Sequence, residues 1–152
     1  MRKYRILIFI PIVLLFLVSC SAVGRMPLEV DNMVREMRPP DGKALVYILR
    51  PTSFGAIVRM EVTSNGNYIG ATGGGRYIYA ILEPGNNTLI SKAENKSELQ
   101  IVLEAGKTYY FEQKVKMGII MARNELIRLD DAEGREKLLK CALSKDLTVK
   151  PE

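Results

Sequence analysis

The chain contains no histidine and only two cysteines, Cys20 and Cys141. Histidine is the side chain that most often serves as a general base and as a ligand of zinc or copper. Its absence also leaves any serine or cysteine nucleophile without the histidine that usually activates it. The composition therefore argues against hydrolases and metalloenzymes, and we predict no catalytic residue, no metal site and no cofactor.

A long apolar span is missing as well, because the longest uncharged apolar run is too short to cross a membrane. It covers 13 positions from Ile6 to Val18, with Pro11 inside it, whereas a spanning helix needs roughly 20. Three cations stand within the five residues before the run, and small residues follow it. This order is typical of a secretory signal peptide, which we predict over residues 1–19.

The end of this run, Leu17-Val18-Ser19-Cys20, resembles the lipobox of bacterial lipoproteins. In those proteins the cysteine thiol receives a diacylglyceryl group and the signal is cut before the cysteine. The resemblance implies that Cys20 is lipidated and that the lipid anchors the protein to a membrane on the periplasmic side. Stable anchoring takes more than one acyl chain, which a lipidated cysteine of this class provides. Ser21 follows in place of Asp, which by resemblance to enterobacterial lipoproteins indicates the outer membrane of the cell envelope. The alternative is an uncleaved anchor.

Residues 20–152 carry little net charge of either sign. Residues 1–19 hold three of the 22 lysines and arginines and none of the 17 acidic residues, so residues 20–152 carry a net charge of +2. Such a balance lacks the basic surface that nucleic acid requires, and no nucleic-acid partner is predicted. Cys141 cannot form a disulfide within its own domain. We expect it to pack at a helix end, with a disulfide to a partner as the alternative.

Residues 20–42 are predicted to be a lipidated tether that carries the domain away from the bilayer. The segment ends in Pro39-Pro40-Asp41-Gly42, and consecutive prolines favour a stiff, extended chain. Four apolar residues recur at helical spacing, namely Val30, Met33, Val34 and Met37. Their spacing leaves a short amphipathic helix as the alternative.

From Lys43 the sequence changes to short β-type runs separated by turn residues. Ala44–Leu49 is continuously apolar, which indicates a strand buried on both faces, whereas Val58–Val62 alternates between apolar and polar residues. Asn65-Gly66 is the strongest two-residue hairpin signal, because both positions tolerate positive φ. About seven to eight such runs predict a mainly β fold, an antiparallel β-sandwich over residues 43–143.

One helix is predicted after the last strand. Asp130 stands at an N-cap position with Glu133 three residues later, close to a capping box. The helix is expected to continue to about Cys141, and residues 144–152 are predicted to be a polar tail that frays. Its expected apolar stripe is Leu138, Leu139 and Ala142.

Several strand and turn motifs resemble known families. "NGNYIGAT", "YIYAILEPGNNTL" and "LEAGKTYYFEQ" are similar to the strand and turn order of PEGA-type domains. "GKALVYILRP", "EPGNNTLISKAENKSELQIVLEAGKTYYFEQKVKMG" and the following "AR" resemble more closely the domain-of-unknown-function family 2846 of bacterial lipoproteins. The resemblance covers about residues 42–143. It implies an exported β-sandwich on a lipid tether, with no established activity.

Aromatic and basic residues supply the candidate binding face. Tyrosines on alternate strand positions can stack on sugar rings or peptides, and cations along the last hairpin can contact lipid headgroups or anionic glycans. The predicted binding face is Tyr77, Tyr79, Lys114, Lys116 and Arg123, with Arg128 extending the cationic strip. The partner would be another envelope protein or a glycan. The alternative is half-buried packing for the tyrosines and a solvated strand for the cations.

Two further segments attract attention. Gly73-Gly74-Gly75-Arg76 could cradle an anion, but it lacks the lysine and helix of a phosphate loop, so a flexible hairpin loop is expected. Met117–Arg123 is apolar, contains glycine and lies between two strands. It is either an exposed hydrophobic bend for a partner or a buried β-bulge.

The function expected from the sequence is that of a non-enzymatic envelope lipoprotein that binds another envelope component. One alternative is a glycan-acting enzyme that uses two carboxylates about 5–9.5 Å apart. Its candidate acids are Glu61, Glu83, Glu104 and Glu112. The other alternative is a passive structural lipoprotein without a specific ligand.

Overall fold

Two β-sheets packed face to face form the body of the protein. The computed structural model describes residues 23–119 and 122–148. Its helices are α1 (Leu28–Arg35) and α2 (Asp131–Leu139). Its strands are β1 (Ala44–Arg50), β2 (Met60–Ser64), β3 (Asn67–Thr72), β4 (Arg76–Leu82), β5 (Gly85–Lys92), β6 (Lys96–Leu103), β7 (Thr108–Lys116), β8 (Arg123–Leu129) and β9 (Ala142–Leu143). The mainly β fold and the sandwich predicted from the sequence are confirmed.

One sheet has five strands in the order β8-β7-β1-β4-β9, and the other has four in the order β3-β2-β5-β6. Among the described strands, neighbours run antiparallel except in two pairs, β1 with β7 and β4 with β9. The five-stranded sheet is therefore mixed, which differs from the purely antiparallel pairing expected from the sequence. A parallel partner must arrive through a long crossover, and strands β2 to β6 form that crossover between β1 and β7.

Strand β1 lies at the centre of the five-stranded sheet, and all seven of its residues are buried. Val46 and Ile48 belong to the core between the two sheets. Leu45 and Tyr47 belong to a second core on the opposite face of the same sheet, where side chains of both helices cover them. Because both faces are covered, β1 is a continuous apolar run, as the sequence predicted.

The core between the sheets contains a buried polar group with hydrogen-bond partners on both sheets. Gln113 Nε2 of β7 donates to Ser91 Oγ of β5 at 2.7 Å, and Gln113 Oε1 accepts from Thr72 Oγ1 of β3. A buried polar group without a partner costs free energy, so these bonds are what allow Gln113 inside the core. They also connect the two sheets directly.

The outer face of the five-stranded sheet is lined with tyrosines. The rings of Tyr47 and Tyr110 stack with centroids 5.4 Å apart, and Tyr77 meets Tyr47 edge-on at 6.0 Å. Helix α2 approaches this layer through Gly134, where an added Cβ would lie only 2.3 Å from Tyr110 Cγ. Glycine at this position is therefore required for space.

Local signals in the sequence are confirmed where a short segment determines its own geometry. Asn65 and Gly66 have φ values of 49° and 83° and join β2 to β3. Strands β5 and β6 pair antiparallel across the short turn between them. Asp130 Oδ1 accepts a hydrogen bond from the Glu133 amide at 2.8 Å, which is the predicted N-cap of α2.

Part of the predicted tether, residues 20–42, is helical and packs against the five-stranded sheet. Residues 28–35 form α1, with Val34 fully buried against the outer face of the five-stranded sheet. The amide of Met26 donates to the Leu143 carbonyl at 2.8 Å, so the chain before α1 pairs with β9. The helical alternative was correct because Val30, Val34 and Met37 all reach this second core.

The C-terminal part of the chain departs from its prediction in two ways. Helix α2 ends at Leu139, which is exposed, and Ala142 belongs to β9, so only Leu138 of the predicted stripe is buried. Residues 144–148 do not form a free tail: Ser144 is buried, and Leu147 pairs with Gly70 of β3. Across the described ranges, neither helix is long and apolar enough to cross a bilayer.

Candidate functional site

The aromatic part of the predicted binding face lies inside the protein. Tyr77 is fully buried and Tyr79 is 2 % exposed, both in the layer between the five-stranded sheet and the helices. The Tyr77 hydroxyl donates to Asp31 Oδ1 at 2.7 Å, and burial raises the pKa of both tyrosines. This corrects the prediction for Tyr77 and Tyr79, because the segment interpreted as a spacer covers the face that they occupy.

The basic part of the predicted face is brought together as expected. Lys116 lies opposite Arg123 and Lys114 lies opposite Glu125 in the β7–β8 pair, so these side chains share the outer face of the sheet. Lys116 Nζ lies 2.7 Å from Glu125 Oε2. Lys114, Lys116 and Arg123 are exposed, and we call these three residues the cationic flank.

Arg128, the fourth cation of the predicted strip, does not belong to the cationic flank. Arg128 lies opposite Phe111, whose side chain faces the core between the sheets. Residues opposite each other share a face, so the Arg128 side chain lies on the inner face of the sheet, whereas the cationic flank lies on the outer face. Its guanidinium lies 5.0 Å from the centre of the Tyr109 ring. A cation over an aromatic ring has a local structural role.

Four exposed apolar side chains lie beside the cationic flank at one end of the sandwich. They are Phe54 (54 % exposed), Ile57 (69 %), Met117 (79 %) and Ile119 (91 %), and we call them the tip. Residues of the β1–β2 loop and of the segment after β7 enclose a groove of about 310 Å³ here, lined by Phe54, Gly55, Ile57, Val58, Met117, Gly118 and Ala122. For Met117 and Ile119, the exposed bend of the two sequence interpretations is therefore correct.

Arg50, at the end of β1, determines the shape of the loop that carries Phe54 and Ile57. Its guanidinium is buried and donates to the carbonyls of Val58 at 2.5 Å, Gly55 at 2.6 Å and Phe54 at 3.3 Å. Burial lowers the pKa of Arg50 to about 10, so the side chain remains charged at neutral pH. With polar backbone groups turned towards Arg50, the apolar side chains of the loop point to solvent.

A polar recess adjoins the tip on the side of β6 and β8. Asn95 organises it, because its Oδ1 accepts from the Asn124 amide at 2.8 Å and its Nδ2 donates to the Asn124 carbonyl at 2.8 Å. The recess has a volume of about 350 Å³ and is lined by Asn95, Lys96, Ser97, Lys116, Met117, Arg123, Asn124 and Glu125. Met117 belongs to both the recess and the groove, so the apolar and basic surfaces are continuous.

The glycine run at residues 73–75 is not the flexible hairpin loop expected from the sequence. It connects β3 of one sheet to β4 of the other. The Gly74 amide donates to the Ala56 carbonyl at 3.2 Å, and the Gly75 amide donates to the Arg50 carbonyl at 2.9 Å. Because these amides are already bonded to backbone, the run offers no anion cradle, and it supports the tip loop instead.

Helix α1 is held by a partly buried ion pair. Arg35 Nε donates to Asp31 Oδ1 at 2.7 Å, and the Leu143 amide donates to Asp31 Oδ2 at 3.2 Å. Burial by itself would raise the pKa of Asp31, but the bonds from Arg35, Tyr77 and Leu143 outweigh it, and the pKa lies below its ordinary value. This arrangement ties α1 to β4 and β9, and we interpret it as structural.

The four acids of the enzymatic alternative are bound to separate cations. Glu61 pairs with Arg59, Glu83 with Lys43, Glu104 with Lys107 and Glu112 with Lys137. Within residues 23–119 and 122–148, no cluster of three or more acidic or cysteine side chains has the geometry of a metal site. Neither observation favours carboxylate chemistry.

Cys141 lies just after α2 and is 3 % exposed. Burial raises the pKa of its thiol to about 11, so the thiolate that would react with a partner is scarce at neutral pH. The position agrees with the expectation of a small residue packed at a helix end. Cys20, the predicted signal peptide over 1–19, and residues 120–121 and 149–152 lie outside the described residues.

Sequence reasoning missed Phe54 and Ile57. Both lie in "PTSFGAI", a turn-rich segment with proline, serine and glycine and no strand periodicity. Large apolar residues in such a segment have no sheet face to bury them, which is the one signal that could have identified them. Exposed apolar groups that form a continuous patch indicate an interaction surface.

Comparison with known proteins gives a family and no activity. The family model described as Protein of unknown function (DUF2846) matches residues 40–125, from just before β1 into β8. An uncharacterized protein of Haemophilus influenzae is 25 % identical over 130 residues, which cover 84 % of this chain and 77 % of that protein. The matched region contains strands β1 to β7, the start of β8 and the loops of the tip. The chain therefore belongs to the DUF2846 family.

Proposed function

We propose that this protein is a lipid-anchored, non-enzymatic module of the bacterial cell envelope. One observation carries the proposal: Leu17-Val18-Ser19-Cys20 follows a basic segment and an apolar run too short to span a bilayer. The acylated Cys20 would hold the β-sandwich at a periplasmic membrane face. Its contact surface would be the tip and the cationic flank, where exposed apolar and basic side chains adjoin.

The proposal of a non-enzymatic module is supported by the state of the ionisable groups. The sequence has no histidine, and each of the four candidate acids is bound to its own lysine or arginine. The surface at the tip offers apolar area and positive charge, which suit binding better than proton transfer. A passive structural role predicts instead that nothing contacts this surface.

The anchor is tested by changing one cysteine at a time in the full chain expressed in a Gram-negative host. Cys20→Ala should abolish incorporation of labelled palmitate and leave an uncut precursor. Cys141→Ala is the matched control, since its thiol is buried and should not affect processing. Normal cleavage and labelling of the Cys20→Ala protein would refute the proposal.

The choice of membrane is tested at the next residue. We propose the outer membrane because Ser21 follows the cysteine. In a density-gradient separation of envelope fractions, the wild-type protein should accompany the outer membrane, and Ser21→Asp should shift it to the inner membrane. If both proteins fractionate with the inner membrane, the outer-membrane assignment is wrong and the anchor is unaffected.

The contact surface is tested by crosslinking in intact cells. A photoreactive amino acid in place of Lys116 should form a specific adduct with another component of the envelope. The same group in place of Lys107 should form no such adduct, because Lys107 is exposed at the other end of the sandwich. Equal adduct patterns at the two positions would favour a passive structural protein.

A further inference from the structure

We infer that the tip lies against the lipid bilayer beside the anchor, so that the sandwich stands with this end towards the membrane. The inference rests on the proposed lipid anchor at Cys20 and names the partner of the proposed contact surface as the anionic bilayer surface itself.

All segments of this contact surface lie at one end of the sandwich because of the strand directions. β1 ends at Arg50, which lies opposite Arg76 at the start of β4, and β7 runs parallel to β1. The β1–β2 loop and the β7–β8 connection therefore leave the five-stranded sheet at the same end. In the other sheet, Lys92 lies opposite Glu61 near the start of β2, which brings the β5–β6 turn to that end as well.

The first described residue also lies at this end. A Cβ added at Gly73 would lie 3.3 Å from Val23 Cβ and 3.3 Å from the Ala56 carbonyl oxygen. Ala56 lies between Phe54 and Ile57 in the sequence, so the start of the described chain is next to the tip loop.

The distance from the anchor is limited by chain length. Three residue steps separate Cys20 from Val23, and even fully extended they span no more than about 10 Å. An acylated Cys20 lies at the membrane surface, so Val23 lies within that distance of the membrane and the loop beside Val23 lies close to it. The docking of α1 and the pairing of Met26 with Leu143 hold the rest of the N-terminal segment to the domain.

The side chains at this end suit a lipid interface. Phe54, Ile57, Met117 and Ile119 are all more than half exposed, and burying apolar side chains at the boundary between headgroups and acyl chains is favourable. The Ile119 amide is bound to Glu94 Oε1 at 3.1 Å, which holds the most exposed of them away from the core.

The charge around the tip complements an anionic membrane. Lys114, Lys116 and Arg123 are exposed beside Met117, and the acidic neighbours are Glu125, which pairs with Lys116, and Glu94, which binds the Ile119 amide. Basic residues near a bilayer surface are attracted by anionic headgroups within a Debye length. Apolar tip and cationic flank together give the second membrane contact that reinforces a lipid anchor.

The chain contains no tryptophan, which makes single-tryptophan fluorescence a direct test. Phe54→Trp and Ile119→Trp place the probe in the tip, and Val102→Trp is the matched control. Val102 is 63 % exposed and lies six residues along β6 from Lys96 of the polar recess, at the opposite end of the sandwich. Each full-length variant is expressed, purified with its lipid and reconstituted into vesicles that contain brominated phosphatidylcholine and phosphatidylglycerol.

Both tip probes should be quenched at least about threefold more strongly than the Val102→Trp probe, with emission shifted to shorter wavelength. Equal quenching of all three probes would overturn the inference. A tip probe that shifts to shorter wavelength without quenching would also overturn it, because a protein or a second copy of the chain would then cover the tip.

Mass spectrometry of the N-terminal peptide from the same samples separates the two proposals. An acylated protein with an unquenched tip overturns this inference and leaves the lipid anchor standing, whereas an intact Met1 and an unmodified Cys20 overturn both.

In a final comparison, Lys114→Glu with Arg123→Glu should remove the difference in quenching between vesicles with and without phosphatidylglycerol. Lys107→Glu at the opposite end should leave that difference unchanged, and equal effects of the two changes would contradict the role of the cationic flank.

Discussion

The two ends of the sandwich are built by different means. At the end opposite the tip, short turns connect the strands, and Gly66, Gly85 and Gly106 all have positive φ there. At the tip end, a longer loop follows β1, and the buried Arg50 and the half-buried Asn95 hold it and its neighbours in place. The turns opposite the tip follow local backbone preference, whereas the tip end also depends on side chains that bind backbone groups, Arg50 within its own loop and Asn95 across to Asn124.

This difference separates segments that form the fold from segments that are available for contact. A tight turn with glycine and asparagine exposes little apolar surface. The loop around Arg50 turns its carbonyls inward, which leaves Phe54 and Ile57 exposed. Substitutions at each end, compared for their effects on stability and on the tip loop, measure this difference.

The largest effect is expected from releasing the N-terminal segment that reaches the tip end. Asp31→Leu removes the carboxylate and leaves the Arg35 guanidinium partly buried without its counterion, and breaking such a pair costs about 3–5 kcal/mol. Urea unfolding followed by circular dichroism measures the free energy of unfolding. Glu29→Leu, on the exposed side of α1, is the control, and an equal loss in both variants would contradict the structural role of Asp31.

The same carboxylate should make stability dependent on pH. Its pKa is lower in the folded chain than in the unfolded chain, so its stabilisation is complete above the unfolded value of about 3.9 and is lost as the pH falls through the folded value. Asp146 acts in the same direction, because Arg59 and Tyr68 outweigh the effect of its burial. Asp31→Asn should therefore flatten the decline in stability measured below about pH 4; an unchanged slope would exclude Asp31 as its source.

A somewhat smaller loss is expected at the tip end when its buried donor is removed. Arg50→Leu leaves the carbonyls of Phe54, Gly55 and Val58 without that donor, which should cost about 2–3 kcal/mol. Limited proteolysis should then cut between residues 52 and 58. Lys107→Leu, in an exposed turn at the other end, should leave both the stability and the cleavage pattern close to wild type. Protection of the loop in Arg50→Leu would show that it holds its shape without the guanidinium.

Glycine should be required for different reasons at Gly66, in the turn between β2 and β3, and at Gly74, beside the tip loop. Gly66→Ala places a side chain at φ +83° with no atom nearby, so it should cost about 1 kcal/mol and leave the tip unchanged. Gly74→Ala has ordinary φ but meets Ala56 Cβ at 2.7 Å and Ala56 Cα at 2.8 Å. The backbone must move there, so amide exchange should accelerate in residues 52–58 of this variant alone. Acceleration in both variants would remove the distinction.

The smallest effect on stability is expected at the tip itself. Met117→Ser and Ile119→Ser change exposed side chains and should alter the free energy of unfolding by no more than about 0.5 kcal/mol. Their association with vesicles should nevertheless weaken. It is measured with a fluorescent label on protein from which the lipid has been removed, so that the anchor does not mask the contribution of the tip. Ile101→Ser, whose side chain packs against the core, should show the reverse pattern. A large loss of stability in the tip variants would mean that the tip packs against the domain.

Local signals explain which parts of the fold could be predicted. The Asn65-Gly66 turn, the Asp130 cap and the continuous apolar run of β1 each depend on a few neighbouring residues, and each is confirmed. The cationic flank was also predictable, since strand alternation and hairpin register place Lys114, Lys116 and Arg123 on one face. The parallel pairing of β1 with β7 was not, because it joins strands almost 60 residues apart.

The mainly β fold and the family could be read from the sequence by itself, because strand alternation and turn residues are local patterns that need no long-range contact. The burial of Tyr77 beneath α1, and the groove that Phe54, Ile57 and Met117 share at one end, follow from the tertiary structure. A helix of eight residues has too little intrinsic stability to form alone, so α1 exists because Val34 and Asp31 find partners on the sheet. Burial depends on what covers a side chain, and that is a property of the folded chain.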